Sequence, residues 1–137
     1  MSAPSYETIR AARAARLATD PFDPHKHSLM SHTPDGLPGG FLTLPDLGEA
    51  QMLAMREGMD LLCRLHDDDL VEEWIGDILT LAQDPETVGL LMVNVIRGIA
   101  PVLAARMGTD THEHARELYR DFAFDAWMKN FNEEEAA

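Results

Sequence analysis

Apolar residues recur every three or four positions from Pro45 onward, and this spacing predicts a helical body. Within residues 45–65 the repeating apolar positions include Met52, Met55 and Met59. Pro45 suits the first turn of this helix because the fixed φ of proline is compatible with a helix start. A second apolar stripe, over about residues 68–83, predicts a second amphipathic helix.

Residues 86–107 are apolar on nearly every side of the helix that they predict. A helix without a polar face belongs inside a bundle or in a membrane. Arg97 near its centre and Pro101 after it argue against a membrane span. We therefore place this helix at the centre of the body, where Ile96 is expected to be buried. An Asp-Pro pair at 84–85 supplies its N-cap and first residue.

A fourth helix is expected to end near Phe131, ahead of a disordered acidic tail at residues 132–137. The connections between the predicted helices are short, which favours antiparallel neighbours. The sequence has no recognisable strand pattern. The predicted fold is therefore all-α, with a compact bundle of four or five helices over residues 45–131 around the central apolar helix.

The N-terminal third of the chain differs from this body in composition. Residues 1–19 predict a short basic helix, capped by Ser5, whose apolar face is thin. Such a helix is marginal alone and orders only against another surface. Residues 20–44 are rich in proline and glycine and predict an extended arm or linker. Five apolar side chains of this arm are expected to dock on a surface: Phe22, Leu29, Met30, Phe41 and Leu42.

Charge is distributed unevenly along the chain. The formal net charge is −13, with +2 over residues 1–19 and −9 over residues 46–84. This balance argues against direct binding to nucleic acid or to an anionic membrane, since both need a basic surface. The basic helix is instead expected to bind an acidic protein surface, on a partner or on a neighbouring copy that exchanges arms. The arginines that carry this expectation are Arg10, Arg13 and Arg16.

Five of the six histidines are the main candidates for metal ligands, and they fall into two groups. They are His25, His27 and His32 on the arm, and His112 and His114 near the start of the last helix. Ligands on one helix commonly lie at i, i+3 or i, i+4, and these histidines do not have that spacing. We expect no bound metal and no cofactor. Convergence of these histidines in space would reverse that expectation.

Signatures of catalysis are also missing from the sequence. The run Asp67–Asp69 is explained by the positive end of a helix dipole. Cys63 is the single cysteine and lies in an apolar stretch, where a free thiol is expected to be buried. No phosphate-binding loop and no nucleophile elbow can be found. We therefore expect no enzymatic activity.

The methionine stripe has two interpretations. Methionine fills irregular cores, and it also lines binding surfaces that adapt to different partners. Core placement is the favoured interpretation. If the helix over residues 45–65 lies on the outside of the body, the stripe becomes a binding groove.

These features together predict a non-catalytic interaction protein that docks through its N-terminal arm. It would serve as an adaptor, an assembly factor or a small structural subunit of a larger bacterial or phage complex, and homo-oligomers are expected. The predicted partner-binding residues are Arg10, Arg13, Arg16, Phe22, Met30, Phe41, Met52, Met55 and Met59.

Two alternative functions follow from other features. An acidic inhibitor that imitates nucleic acid would carry carboxylates along one exposed face, and a small helical metalloenzyme would bring the histidines together. No apolar run of secretory length follows the N-terminal arginines, so the expected location is the cytoplasm, or a phage particle or its assembly intermediate.

Overall fold

The computed structural model describes residues 3–107 and 113–128. Its elements are α1 (Tyr6–Thr19), β1 (His27–His32), β2 (Pro38–Leu44), α2 (Leu47–Arg64), α3 (Asp68–Ala82), α4 (Pro85–Met107) and α5 (Glu113–Met128). The protein is therefore mostly helical, and the all-α prediction is wrong in that the arm contains a small sheet. The predicted helix end at Phe131, the tail at 132–137 and the side chains of His112 and His114 lie outside the description.

The chain forms two compact units, Met1–Ile99 and Ala100–Ala137. The first unit contains α1, the two strands, α2, α3 and most of α4. The second contains the end of α4 and α5, whose described side chains are exposed. Helix α4 continues through Pro101 without a break in its assignment.

Side-chain caps mark where the helices of the first unit begin. At the predicted cap of α4, the backbone N–H of Thr87 donates to Asp84 Oδ1 at 2.8 Å. Helix α2 is capped in the same way by Asp46, so it starts at Leu47 and not in a turn around Pro45. The side chains that accept backbone N–H groups at these helix starts are Ser5, Asp46, Asp67 and Asp84.

The predicted arm is a β-hairpin in which β1 and β2 pair antiparallel. Leu29 lies opposite Leu42 in this ladder. Met30 lies opposite Phe41. Gly36 provides the turn with a positive φ of 82°, a conformation that glycine adopts without strain. The Asp-Gly pair at the turn is typical of a hairpin, but the sequence predicted only an extended arm here and not the pairing of two strands.

A bulge next to the turn is stabilised by Ser31. Its hydroxyl accepts from the N–H of Gly40 at 2.8 Å and donates to the carbonyl of the same residue at 3.1 Å. A Cβ at Gly39 would lie 2.6 Å from Ser31 Oγ, so a side chain there would displace this contact. The bulge therefore depends on the absence of a side chain at Gly39.

Helices α2, α3 and α4 of the first unit share one apolar core. Gly58 on α2 lies against α4, and a Cβ there would be 2.9 Å from Ile99 Cγ2. Small residues on α2 therefore allow the two helices to approach closely. The buried apolar residues are Ala50, Leu53, Ala54, Trp74, Ile78, Ala82, Leu91 and Val95.

The methionine stripe of α2 lies on the outside of the protein. Met52, Met55 and Met59 are all exposed, while smaller residues of the same helix face the core. Cys63 is exposed on α2 as well. The favoured predictions of a methionine core and a buried thiol are therefore wrong. The alternative interpretation, in which the exposed methionines form a binding groove, stays a prediction.

Helix α4 is buried along one narrow face only, so its predicted position at the centre of the protein is also corrected. Leu91 is fully buried, whereas Ile96 on the opposite face is 57% exposed. Pro85–Arg106 is long and apolar enough to cross a membrane, and 11% of an 18-residue apolar window within it is buried. The same length and composition also fit the core helix of a soluble protein.

Candidate functional site

The basic helix α1 binds the acidic surface of its own chain. Arg13 Nε donates to Glu57 Oε1 on α2 at 2.7 Å. Arg10 Nη2 donates to Glu73 Oε2 on α3 at 2.8 Å. The acidic surface that the sequence predicted as a docking site thus binds two of the three arginines within one protomer.

A buried arginine lies behind this contact. Arg64 is 1% exposed and forms two hydrogen bonds of 3.0 Å with Asp60, four residues earlier on α2. Its Nη1 also donates to the carbonyl of Leu70 at 3.3 Å, and Tyr6 of α1 places its ring 5.0 Å from the Arg64 Cζ. Burial, the largest single influence, lowers the pKa of Arg64, but the hydrogen bonds with Asp60 together with the nearby charges of Asp60 and Asp77 outweigh it, so the pKa is raised overall.

Sequence reasoning did not identify this network. The signal was present in the i, i+4 spacing of Asp60 and Arg64, a spacing that places two side chains on one face of a helix. A charged pair on a helix is normally assigned to solvent. Here the pair faces α3, and Arg64 Nη2 lies 3.6 Å from Asp77 Oδ2 on that helix.

Glu57 has an incomplete set of hydrogen bonds. It is 2% exposed, and its Oε2 has no hydrogen-bond partner in the described structure. Burial raises the pKa of its carboxyl group, and the hydrogen bond from Arg13 opposes that rise. Its backbone carbonyl accepts from Trp74 Nε1 at 2.9 Å, which connects the site to the core. Glu57 therefore retains one buried acceptor beside α1.

The residues ahead of the hairpin attach it to the helical body. Lys26 Nζ lies 2.6 Å from Glu49 Oε1 on α2. His25 Nε2 lies 3.3 Å from Asp84 Oδ2, ahead of α4, and this contact is an ion pair only when the imidazole is protonated. His25 Nδ1 also lies 2.7 Å from Thr43 Oγ1 on β2.

The third contact of this group joins His27 to Asp46. His27 Nε2 lies 3.5 Å from Asp46 Oδ2. The pKa of Asp46 is lowered, chiefly by the hydrogen bond from the N–H of Glu49 and then by His27. The pKa of Asp84 is lowered chiefly by the N–H of Thr87. The hairpin therefore starts from carboxylates that also cap α2 and α4.

Beyond this attachment, the hairpin exposes its apolar side chains. Leu29 and Leu42 project from one face of the sheet, while Met30 and Phe41 project from the other. All four are exposed, Phe41 by 74%. Phe22, predicted to bind a partner, is instead half buried and packs on the core. The sheet has two strands in the described structure, so both outer edges are unpaired there.

The histidines of the arm do not converge on one point. His25 and His27 contact different carboxylates, and His32 lies at the far end of β1 opposite Pro38. Within residues 3–107 and 113–128, no group of three or more His, Cys, Asp or Glu side chains is arranged to hold a metal.

Comparison of the chain with family models, with curated protein sequences and with solved structures finds no match. Functional inference for this protein therefore starts from the contacts and exposed surfaces of its own residues.

Proposed function

We propose that this chain is a non-catalytic assembly protein that associates with a second copy of itself through the β1–β2 hairpin. The observation that carries this proposal is an anchored sheet whose apolar side chains are exposed on both faces. An isolated two-stranded hairpin is marginal in water and gains stability from further strands. We also propose that the helices pack as a compact bundle, which carries the hairpin.

The attachment of the hairpin supports a role in docking. Contacts from His25, Lys26 and His27 to the body hold the start of the hairpin, while its far end is exposed. A free tether would lose more conformational entropy on binding than an element that is already ordered. The anchored hairpin is therefore better suited to association than a flexible linker over the same residues.

The outer edge of β1 is the better edge for pairing. Strand β2 begins with Pro38, which lacks an N–H, and continues with two glycines, which have little side chain to pack. Strand β1 has neither residue type. An exposed, unpaired strand edge is a template for a strand from another chain.

A second copy fits this edge because the resulting interface is self-complementary. Antiparallel pairing of β1 with its counterpart about a two-fold axis can place Leu29 opposite Leu29 of the second copy. Leu42 is the neighbour of Leu29 within each hairpin. Four leucines would then form one continuous row across a four-stranded sheet, and such cross-strand apolar pairs stabilise sheets.

The acidic-inhibitor function receives less support from the described contacts. Most carboxylates of residues 46–84 already cap a helix or pair with a basic side chain of the same chain. The acidic residues engaged in this way are Asp46, Glu49, Glu57, Asp60, Asp67, Glu73, Asp77 and Asp84. Few remain available to imitate a row of phosphates.

The test is the mass in solution, measured by light scattering over a series of protein concentrations. We expect a species of twice the 15.2 kDa chain mass that dissociates on dilution. Leu29→Lys should give a monomer, because a charge at the centre of the new strand pair cannot be buried without cost. The control is Leu79→Lys on α3, where the native leucine is 54% exposed against 55% for Leu29.

The same experiment distinguishes the competing outcomes. A wild-type protein that stays monomeric at every concentration, or a Leu29→Lys protein that stays dimeric, contradicts hairpin pairing. Loss of the dimer in Leu79→Lys alone would move the interface to α3.

A further inference from the structure

A cavity of about 260 Å³ lies between α1 and α2, away from the hairpin. Its walls combine apolar and charged side chains. The residues that line it are Ile9, Ala12, Arg13, Arg16, Leu17, Leu53, Arg56, Glu57 and Asp60. The volume is slightly below the range of about 300–1,000 Å³ typical of ligand pockets, so an occupant must be small.

Glu57, one of the residues that line the cavity, has a hydrogen-bond acceptor without a partner. Its Oε2 is buried. Among the buried side-chain atoms of the described residues, this is the one without a hydrogen-bond partner. Leaving a buried carboxylate oxygen without a donor is unfavourable. A ligand that brings an ammonium or another strong donor to this atom would remove that cost.

The cavity also offers two unused cations. Arg16 and Arg56 line it, and neither forms a side-chain hydrogen bond or ion pair within the described structure. By contrast, Arg10, Arg13 and Arg64 are all paired with carboxylates. An arginine left free in so acidic a chain is available to an anion, and a carboxylate matches the two-pronged geometry of its guanidinium group.

We propose that this cavity binds a small amino carboxylate with an apolar body. The ammonium group of the ligand donates to Glu57 Oε2, and its carboxylate accepts from Arg16 and Arg56. The apolar body packs against Leu17 and Leu53, which line the cavity together with Ile9 and Ala12. This site is independent of the hairpin, and it remains whether or not the protein dimerises.

The indole N–H of Trp74 provides a local reporter of binding. It donates to the backbone carbonyl of Glu57, so an occupant of the cavity should move its NMR signal. Trp127 is highly exposed on α5 and serves as the internal control. The probes are L-leucine and 6-aminohexanoate, which differ in the distance between their charged groups.

We expect at least one of these probes to shift the Trp74 signal saturably while the Trp127 signal stays in place. L-Leucinamide, which lacks the carboxylate, and 4-methylpentanoate, which lacks the ammonium, should each bind about tenfold more weakly than L-leucine if leucine is the better probe. The absence of a saturable shift with both amino carboxylates at about 10 mM would overturn the proposal.

Two variants test the assignment of the charged groups. Arg56→Gln removes a cation that has no partner to lose, so it should weaken binding about tenfold without unfolding the protein. Glu57→Gln should weaken binding because it removes the negative charge that accepts the ammonium group. If this variant does not fold, the binding measured for Arg56→Gln tests the site by itself. Arg97→Gln on the exposed surface of α4 is the matched control. Unchanged binding by Arg56→Gln would overturn the site.

Discussion

Arg64 and Asp60 form two hydrogen bonds of 3.0 Å on the same helix, and both side chains are buried. The pair also connects three helices, because Arg64 reaches the carbonyl of Leu70 on α3 and the ring of Tyr6 on α1. A buried ion pair adds little to stability compared with apolar residues, but removing one partner leaves an uncompensated charge. The packing of α1, α2 and α3 therefore depends on keeping this pair intact.

Replacing Asp60 by Asn should destabilise the protein strongly. The substitution keeps the shape of the side chain but removes the buried charge closest to the guanidinium of Arg64, which then retains only the longer contacts with Glu73 and Asp77. We expect a loss of about 3–5 kcal/mol in the free energy of unfolding, measured by urea denaturation. Asp68→Asn, in the exposed first turn of α3, should change it by less than about 0.5 kcal/mol. Equal losses in the two variants would contradict the proposed role of the buried pair.

Glu57 should give the protein a stability that decreases as pH rises. Its pKa is raised in the folded state above the ordinary value of 4.5, so the folded protein binds this proton more tightly than the unfolded chain. The resulting stabilisation is present below pH 4.5 and is lost as pH rises through the folded-state pKa.

The check is the melting temperature of the wild type relative to Glu57→Gln across this pH range. The melting temperature of the wild type should fall relative to that of Glu57→Gln as pH rises, because Gln has no proton to lose. Glu72→Gln, at an exposed position on α3, should show no such pH-dependent difference. A pH-independent difference for Glu57→Gln would argue that the carboxylate is not perturbed by burial.

Asp46 has two roles that substitution can separate. It caps α2 and it lies beside His27, which helps to attach the hairpin. Asp46→Asn retains a capping side chain and removes the charge, so it should loosen the hairpin with little effect on α2. Asp46→Ala should also lower the melting temperature. The measurement is hydrogen exchange of the β1 amides. Equal exchange rates in the wild type, Asp46→Asn and Asp46→Ala would show that the His27–Asp46 contact does not hold the hairpin.

The lowered pKa of Asp46, caused chiefly by the cap hydrogen bond from Glu49 and then by His27, predicts the acid limit of both contacts. Because the folded-state value lies below the ordinary 3.8, the stabilisation is present above pH 3.8 and is lost as pH falls through the folded-state value. The hairpin amides of the wild type should therefore gain exchange in strong acid beyond the intrinsic pH trend. Asp46→Asn should not show that additional gain.

Two helical glycines should respond to alanine with opposite signs. A Cβ at Gly58 would lie 2.9 Å from Ile99 Cγ2, so Gly58→Ala should cost about 1–3 kcal/mol of stability. Gly76 on α3 has open space around it, so Gly76→Ala should stabilise by about 0.5–1 kcal/mol through helix propensity. Urea denaturation of both variants measures this, and two changes of the same sign would contradict the close approach of α2 and α4.

The helices of this protein could be predicted because their signals are local. Ser5 and Asp84 lie beside the backbone groups that they cap, and the Asp-Pro pair before α4 indicated its first residue. The hairpin was missed because its strands are short and both of its faces are exposed, so no alternation of apolar and polar residues marks them.

The inner face of α2 could not be predicted from hydrophobicity. That face consists of small residues such as Ala54 and Gly58, together with Glu57 and Arg64, while the larger methionines point outward. Small residues are buried there because α4 approaches closely, and charged ones because their partners come from α1 and α3. Both causes depend on residues distant in sequence, which a single helix pattern does not contain.

The two neighbouring arginines of α1 should differ sharply in their effect on stability. Arg13→Ala leaves the buried carboxylate of Glu57 without its charged partner, so we expect a loss of about 1–3 kcal/mol in the free energy of unfolding. Arg16→Ala, three residues later on the same helix, removes no ion pair of the described structure and should change stability by less than about 0.5 kcal/mol. Both substitutions shorten the same side chain within one helix, so helix propensity is matched between them. Equal effects in urea denaturation would show that α1 is not held to the body by the Arg13–Glu57 pair, and would return these arginines to the intermolecular role that the sequence predicted.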